Sequence, residues 1–432
     1  MERFIQIIRQ NISEECLWVV ADESILHAIR RNTDVYRGPR GKILLSILRF
    51  LRWQKLQLLC VLAIGFVSAS KILLRQGMNY SRSPHLKSLD GTKRMAIFVG
   101  FGARAEEKLF LHYRKHYPGE VIRINQLDLA TMTKIHPVGI SQFFSKIISA
   151  FRSVQSVINK LPDNLDRYRI EWMVFAGMRI ASYAYARAWF STLQYEVPHL
   201  HEVCFLSPDT QAFAAIDAGL PCHFYQHGLL SKSDIIPDFK LISALTTYEG
   251  NYLTKVLSAP EVSQLLPQQP AVRIAQRKIL LVASGNRSYD DMNLVIPLMM
   301  EAMSIGLDVH VRPFPGEDLT VFWEPLLQER KLPIQMMSSN GSFDEVANRI
   351  NPLFVASWGS TALVDALYMG IIPICVAKFD DPYLDNTVYP LLQCCAHWPR
   401  DLEVIRNSCR SQDNYDRVLG ALRDKEMIAS CD

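Results

Sequence analysis

The chain has 432 residues, more than one hydrophobic core usually serves, so two domains are expected. Apolar residues make up 49% of the chain and charged residues 21%, which is typical of a folded protein and not of a disordered one. The net charge of +4 is modest, and no zinc-finger, RRM or KH signature appears, so no nucleic-acid partner is expected.

The nine cysteines form no CxxC pair, and no Cys/His group has the spacing of zinc ligands. Glu2 and Arg9 interrupt the apolar stretch at the start of the chain, which argues against a cleavable signal peptide. An odd number of cysteines without such a signal favours a reduced, cytoplasmic environment.

Residues 1–80 are predicted to form a helical, basic and apolar N-terminal extension. A basic zone at residues 30–55 carries no acid after Asp34, and an apolar run follows from Leu56 to Ser70. Basic flanks beside an apolar helix fit contact with a membrane surface. A buried helix pair packed on the first domain fits the same pattern equally well. A transmembrane helix is the third alternative, since the uninterrupted run is shorter than about 20 residues.

Alternating strand and helix patterns then predict a first Rossmann-like domain over residues 95–257. Gly100 and Gly102 resemble the start of a GxGxxG fingerprint, but Ala105 occupies the third glycine position, so a tight turn is the better interpretation. Asp209 is expected to cap the helix that follows it. The predicted strands and helices of this domain cover residues 95–99, 104–116, 121–124, 140–160, 167–195, 203–206, 211–219, 222–225 and 244–248.

A segment rich in Pro, Gln and Ser at residues 258–273 is predicted to link this domain to a second one at residues 274–432. The second domain repeats the β-α alternation, which indicates a parallel sheet with helices on both faces. Its predicted strands and helices cover residues 278–283, 293–305, 308–312, 342–350, 353–356, 362–368 and 372–376.

One histidine follows a buried strand directly, in the segment Gln226-His227-Gly228. Ligands of open α/β sheets bind at the carboxyl ends of the strands, and imidazole has a pKa suited to a general base. His227 is therefore the candidate catalytic base, with a structural histidine as the equally weighted alternative. Asp234 and Asp238, in the loop that follows, are alternative bases.

A second strand end carries hydrogen-bonding residues in Ser357-Trp358-Gly359-Ser360-Thr361, directly before a predicted helix. Ser360 and Thr361 could cap this helix or hold a phosphate at its N-terminus, and Gly359 would allow close backbone approach. A capped helix without a ligand is the alternative. Together with the segment around His227, this turn leads us to expect two domains that face each other across a cleft.

These segments resemble motifs of the GT-B glycosyltransferases, in which two Rossmann-like domains close over a nucleotide-sugar. Over residues 95–432 the chain is similar to bacterial capsule and lipopolysaccharide transferases that use CMP-linked acidic sugars, and also to teichoic-acid transferases that use CDP-glycerol. The motifs that carry the resemblance are Gln226 to Gly228, Arg312 to Glu317, and Ser357 to Thr361. Their order and spacing match, but Phe314 stands where the family has a histidine.

The resemblance implies a nucleotide-sugar donor bound mainly by the second domain and an acceptor bound by the first. Arg312 would face a phosphate or a sugar carboxylate, although a surface ion pair explains it nearly as well. Glu317 would contact a ribose or base. The candidate nucleotide-binding residues are Ser284, Gly285, Asn286, Arg312, Glu317, Ser357, Gly359, Ser360 and Thr361. For the first three of them, an ordinary polar turn is the alternative.

The reaction implied is an inverting one. Retaining GT-B enzymes often carry two glutamates around the helix after Thr361, and here Ser357 occupies the first place while Asp365 stands near the second. No DxD motif appears, and the paired acids Asp290-Asp291 and Asp380-Asp381 lie in turn-like contexts, so neither a metal nor another cofactor is expected.

The predicted function is therefore transfer of a sugar to a growing bacterial surface polysaccharide or glycolipid, at the inner face of the cytoplasmic membrane. The acceptor would be a glycan or a lipid-linked molecule. A nucleotide-sugar 2-epimerase of the same fold is one alternative. A non-catalytic member of a surface-polysaccharide assembly complex is the other, and Phe314 favours it.

Overall fold

The chain forms two compact units in the computed structural model. The first unit comprises Met1–His227, Ser233–Ser243 and Thr254–Val262, and the second comprises Gly228–Lys232, Ala244–Leu253 and Ser263–Asp432. The residues that the structure describes are 18–19, 43, 46, 54–80, 94–100, 105–125, 132, 138–160, 166–228, 230, 236–257, 262–264, 275–283, 289–313, 323, 328, 331–338, 341–358, 360–376 and 390–428.

The first unit is built on a six-stranded sheet with the order β2-β1-β3-β4-β5-β6, in which the strands from β2 to β5 pair in parallel. Strand order reverses between β1 and β3, which makes the carboxyl ends of these two strands the switch point of the sheet. The strands are β1 Met95–Gly100, β2 Glu120–Asn125, β3 Leu200–Phe205, β4 Cys222–Tyr225, β5 Leu241–Ala244 and β6 Val262–Gln264.

Long helices accompany this sheet, and three of them pack together in one group: α1 and α3 both lie against α4. The side chains of α4 from Ile180 to Leu193 are almost all buried, so this helix forms the centre of the group. The helices here are α1 Gln54–Tyr80, α2 Ala105–His116, α3 Ile140–Lys160, α4 Asp166–Glu196 and α5 Thr210–Asp217. A further helix, α6 Thr247–Leu257, follows β5, and its residues up to Leu253 belong to the second unit.

The second unit has a parallel six-stranded sheet with the order β12-β11-β10-β7-β8-β9. Counted from β7, this is the 3-2-1-4-5-6 order of dinucleotide-binding folds, with its switch point between β7 and β10. The elements are β7 Gln276–Val282, α7 Tyr289–Ser304, β8 Asp308–Arg312, β9 Gln335–Met336, α8 Phe343–Ile350, β10 Pro352–Ser357, α9 Ala362–Tyr368, β11 Ile372–Val376, the 3-10 turn Pro390–Cys394, β12 Ala396–Trp398, α10 Leu402–Ser408 and α11 Gln412–Ile428.

Both faces of this second sheet are covered. Ile279 and Leu281 of β7 belong to one hydrophobic core, while Leu280 and Val282 belong to another on the opposite face. Because successive side chains of a strand point to opposite faces, helices must lie on each side. The predicted fold class, two Rossmann-like α/β domains, is confirmed by the two parallel sheets.

Two expectations about individual elements are wrong. The strand expected at residues 244–248 ends at Ala244, because the Thr246 hydroxyl accepts a hydrogen bond from the Glu249 amide and starts helix α6. Asp290 and Asp291 lie in the first turn of α7 rather than in a turn between elements. The expected linker at residues 258–273 contains the boundary between the two units, between Val262 and Ser263, and also the short strand β6. Asp380 and Asp381 lie outside the described residues.

The N-terminal extension contains one long helix, α1, which packs on α4 at close range. A Cβ at Gly65 would meet the Phe151 ring at 3.3 Å, and one at Gly177 would meet the Val61 carbonyl at 3.0 Å. Packing of this helix on the first unit is thus confirmed, while most of the basic zone at residues 30–53 lies outside the described part. Among the helices that the structure describes, none combines the length and the apolar character that crossing a membrane requires.

Candidate functional site

Three neighbouring strand ends of the second unit bring two predicted site residues together. Val282, the last residue of β7, is in register with Arg312 on β8 and with Ser357 on β10. These strand ends flank the switch point of the sheet, where open α/β folds bind nucleotides. Ser284, Gly285, Asn286, Glu317 and Gly359 lie outside the described residues.

The turn between β10 and α9 uses its hydroxyls for local structure. Ser357 is fully buried, and its hydroxyl donates a 2.7 Å hydrogen bond to the Val282 carbonyl. A ligand contact at Ser357 would therefore fall to its backbone. Ser360 Oγ accepts from the Ala362 amide at 3.3 Å, whereas the Thr361 side chain makes no capping bond to the helix. The turn is thus capped by Ser360, and α9 is only seven residues long.

Arg312 places a positive charge at the same edge of the sheet. Its Nη2 donates to the Gly341 carbonyl at 2.9 Å, and Gly341 has a φ of +91°, a conformation that favours glycine. Within the described part of the chain, the buried Nε of Arg312 has no hydrogen-bond partner. Partial burial of the side chain lowers the pKa of Arg312. A partly buried guanidinium with one unbonded N–H is suited to bind an anionic group.

His227 follows β4 at the carboxyl edge of the first sheet and is partly buried. Burial lowers the pKa of its imidazole below the ordinary value, and the negative charge of Glu106 opposes that shift. The ring is therefore neutral at pH 7 and able to accept a proton.

Glu106 is the buried carboxylate that acts on His227, and sequence reasoning missed it. It sits in the first turn of α2 with a fully buried side chain, and its Oε2 lies 3.5 Å from Arg123 Nη2. A Cβ at Gly100 would overlap that same oxygen. The absence of a side chain at the end of β1 thus leaves room for the carboxylate.

The segment around His227 is held by backbone contacts on both sides. The Gln226 amide donates to the Ser243 carbonyl at 2.9 Å. The Leu230 amide donates to Oε1 of the buried Glu249 at 2.9 Å. These two bonds fix the described residues Gln226 and Leu230 that precede and follow His227 in the chain.

A neighbouring histidine shows a structural role by contrast. His223 Nε2 lies 2.9 Å from the Ser243 hydroxyl, and Nδ1 lies 3.6 Å from Glu202. Burial opposes the ionisation of Glu202, but interactions with His223 and Tyr113 outweigh it and lower the Glu202 pKa. Nε2 of His223 is thus committed to Ser243 and the ring is held beside Glu202, whereas its buried Nδ1 has no hydrogen-bond partner among the described residues.

The sequence singles out three other acids of the first unit: Asp209, Asp234 and Asp238. Asp238 is exposed in the loop before β5, and Asp234 lies outside the described residues. Asp209 caps α5, as predicted, by accepting from the Gln211 and Ala212 amides at 2.8 and 3.0 Å.

Comparison with known proteins finds distant structural likeness only. No family model matches the chain, and no curated protein matches its sequence. The glycosyltransferase SnogD from Streptomyces nogalater is 13% identical with a TM-score of 0.44, over 78% of this chain and 96% of SnogD. UDP-GlcNAc 2-epimerase from Neisseria meningitidis, bound to UDP-GlcNAc, is 9% identical with a TM-score of 0.43, over 75% of this chain and 93% of the epimerase. MurG from Acinetobacter baumannii is 8% identical with a TM-score of 0.43, over 78% of this chain and 98% of MurG. Likeness at this level does not bear on the reaction.

Proposed function

We propose that the protein is an inverting glycosyltransferase that moves a sugar from a nucleotide-sugar to a growing bacterial surface polysaccharide or glycolipid. The observation that carries this proposal is the position of His227 and Glu106: a partly buried imidazole that follows β4 and a buried carboxylate in the helix turn after β1, both at the carboxyl edge of one parallel sheet. Such a pair is suited to remove a proton from a hydroxyl group.

In the proposed reaction, the acceptor oxygen attacks the anomeric carbon of the donor sugar. The bond between that carbon and the phosphate oxygen breaks, and the nucleotide leaves with the bonding electrons. His227 takes the proton from the acceptor hydroxyl, and Glu106 stabilises the imidazolium that forms. In the second unit, Arg312 is the proposed contact for a phosphate of the nucleotide.

The resemblance of the motifs at Gln226 to Gly228, Arg312 to Glu317 and Ser357 to Thr361 to those of CMP-sugar transferases favours a CMP-linked acidic sugar as the donor. The planar fork of a guanidinium matches a carboxylate or a phosphate, and such a donor carries both. The acceptor in this proposal is a glycan or a lipid-linked molecule, and the enzyme works at the inner face of the cytoplasmic membrane. No metal or other cofactor takes part.

Nucleotide release from CMP-, UDP-, GDP- and dTDP-linked sugars, with and without a glycan or glycolipid acceptor, tests this function. We expect release with one donor class, dependent on the acceptor and reduced about 100-fold or more in His227→Ala. His201→Ala, which removes an exposed histidine of the same unit, is the matched control and should keep full activity. Equal activity of His227→Ala and the wild type would refute the assigned base.

Two other outcomes would identify the alternative functions. Conversion of a nucleotide-sugar to its 2-epimer without an acceptor would identify an epimerase. Absence of turnover with every donor would favour a non-catalytic member of an assembly complex.

A further inference from the structure

Helix α1 carries apolar side chains on two opposite faces. Val61, Ala69 and Ile72 are buried on the side that packs against α4. Four large apolar side chains on the other side are each more than half exposed: Leu59, Phe66, Val67 and Leu74. Their separations of seven or eight residues are two helical turns, so they share one face. A helix that is apolar all round is normally enclosed by protein or in contact with lipid.

The exposed apolar face continues onto helix α3. Phe143, Ile147 and Val154 form the buried stripe of this amphipathic helix. Beside that stripe, Ile140, Phe144 and Ile148 are exposed at intervals of four residues. The rings of Phe66 and Phe144 lie 6.4 Å apart, which joins the two rows of side chains into one surface. We call this surface the α1–α3 face; its members are Leu59, Phe66, Val67, Leu74, Ile140, Phe144 and Ile148.

The two helices that form the α1–α3 face contain basic residues but no acidic ones. Neither α1 nor α3 contains an Asp or Glu, and residues 35–89 of the chain contain none either. Among the basic residues of the two helices, Lys71 and Arg152 are exposed. All the basic residues of the two helices, exposed or not, are Lys55, Lys71, Arg75, Lys146, Arg152 and Lys160.

We propose that the α1–α3 face docks on the surface of a bilayer that contains anionic lipid. Exposed Phe, Leu and Ile side chains enter the interface between headgroups and acyl chains, while the basic residues attract anionic headgroups. The absence of acids on both helices favours lipid over a second protein surface, since protein interfaces usually mix both signs of charge at their rims. An apolar surface of this extent also marks an interaction site in its own right.

This docking surface makes the membrane placement proposed above more specific. Its biological role rests on that proposed function. It extends the expected contact beyond the N-terminal segment to α3, whose exposed row is formed more than 60 residues later in the chain. Vesicle binding is measured without any sugar donor, so its failure and the failure of the proposed reaction are distinguishable.

Co-sedimentation of the full chain with lipid vesicles tests the docking surface. We expect binding to vesicles of phosphatidylcholine that contain roughly 30% phosphatidylglycerol, which makes the vesicle surface strongly anionic. Binding to vesicles of phosphatidylcholine alone should be weaker. Phe66→Asp and Ile148→Asp should each weaken binding about tenfold, because each removes an inserting side chain and adds a negative charge. Lys71→Glu should weaken binding to the anionic vesicles only.

Met300→Asp is the matched control, since it places the same charge at an exposed apolar position of the second unit and should leave binding unchanged. Circular dichroism of each variant confirms that it is folded. Absence of wild-type binding to the anionic vesicles would overturn the proposal, as would equal binding by Phe66→Asp. A lipid-free dimer that Phe66→Asp converts to a monomer would also overturn it, because a second copy would then cover the face.

Discussion

Gly100 and Glu106 approach each other so closely that no side chain fits between them: a Cβ on Gly100 would overlap Glu106 Oε2. The glycine ends strand β1, and the glutamate lies in the first turn of the following helix. This contact leaves a buried carboxylate at the carboxyl edge of the sheet, where its charge acts on His227. Gly100 thus makes room for a carboxylate that influences the candidate base, which lies more than a hundred residues later in the chain.

Gly100→Ala should reduce both stability and activity. The added methyl group displaces a fully buried carboxylate, and overpacking of this kind costs about 1–3 kcal/mol of unfolding free energy. Urea denaturation and donor turnover measure the two effects. Gly420→Ala is the control: a Cβ there meets nothing within 4 Å inside helix α11, so stability should rise by about 0.5–1 kcal/mol. Unchanged behaviour of Gly100→Ala would show that the carboxylate is free to move.

Glu106→Gln should shift the pH dependence of the reaction to lower pH. Loss of the negative charge removes the effect that raises the pKa of His227, so the pKa falls further below its ordinary value. A base is active only when unprotonated, so the acidic limb of the kcat/KM profile moves to lower pH with that pKa. A profile with lower activity and an unmoved limb would contradict the role of Glu106 and indicate only a structural one.

Arg312→Ala should weaken donor binding without loss of fold. Charge-assisted hydrogen bonds to phosphate or carboxylate are worth about 1.5–3 kcal/mol, so KM for the donor should rise about 10- to 100-fold. Arg312→Lys keeps the charge but not the planar fork, and should recover only part of the loss.

The matched control for Arg312 is Arg277→Ala. Arg277 also bonds to carbonyls, those of Ile305 and Cys409, but at the amino end of β7 on the opposite edge of the sheet. This variant should keep the wild-type KM. Equal rises of KM in both variants would indicate a general effect on the fold and not a donor contact.

Gly228→Ala distinguishes a ligand-binding loop from a purely structural one. A Cβ at Gly228 meets no protein atom within 4 Å, so the stability of the variant should match that of the wild type. If the acceptor or donor approaches the backbone beside His227, the added methyl group should lower kcat/KM about tenfold or more. Wild-type kcat/KM would show that no ligand comes close to this position.

His310 should contribute to loss of stability in acid. It is buried, and in the described part of the chain neither ring nitrogen has a hydrogen-bond partner. Burial, with the charge of Lys278, lowers its pKa in the folded state. The unfolded chain therefore takes up the proton first, and the unfolding free energy falls as the pH drops below about 6.5.

His310→Leu removes that contribution. Its unfolding free energy, measured by urea denaturation between about pH 5 and 7.5, should decline less steeply than that of the wild type, by up to about 1.4 kcal/mol per pH unit. Identical slopes for the two proteins would mean that His310 is protonated in the folded state.

Much of the fold follows from local sequence patterns. The strand patterns that end at Gly100, Tyr225, Arg312 and Val376 predict their strands to within one or two residues, and the first three stop at a glycine or a polar residue. The end of β5 was predicted wrongly, since the β-branched residues after Ala244 favour a strand by propensity while the Thr246 hydroxyl caps a helix.

The site itself was only partly predictable. His227, Arg312 and Ser357 are recognisable because they stand at strand ends. The bond from Ser357 to Val282 depends on the pairing of β10 with β7, and the burial of Glu106 depends on how α2 packs on the sheet. Such partners are set by tertiary structure, so no local pattern indicates them.

Calorimetric titration of the full chain with CMP, UDP, GDP and dTDP, paired with the same titrations of Arg312→Ala, examines whether the second unit binds a nucleotide at the edge formed by β7, β8 and β10. We expect saturable binding of one nucleotide at one site per chain, weakened about 10- to 100-fold by the substitution. Absence of heat with all four nucleotides, or equal affinity of the variant and the wild type for the nucleotide that binds, would contradict the proposed role of this edge.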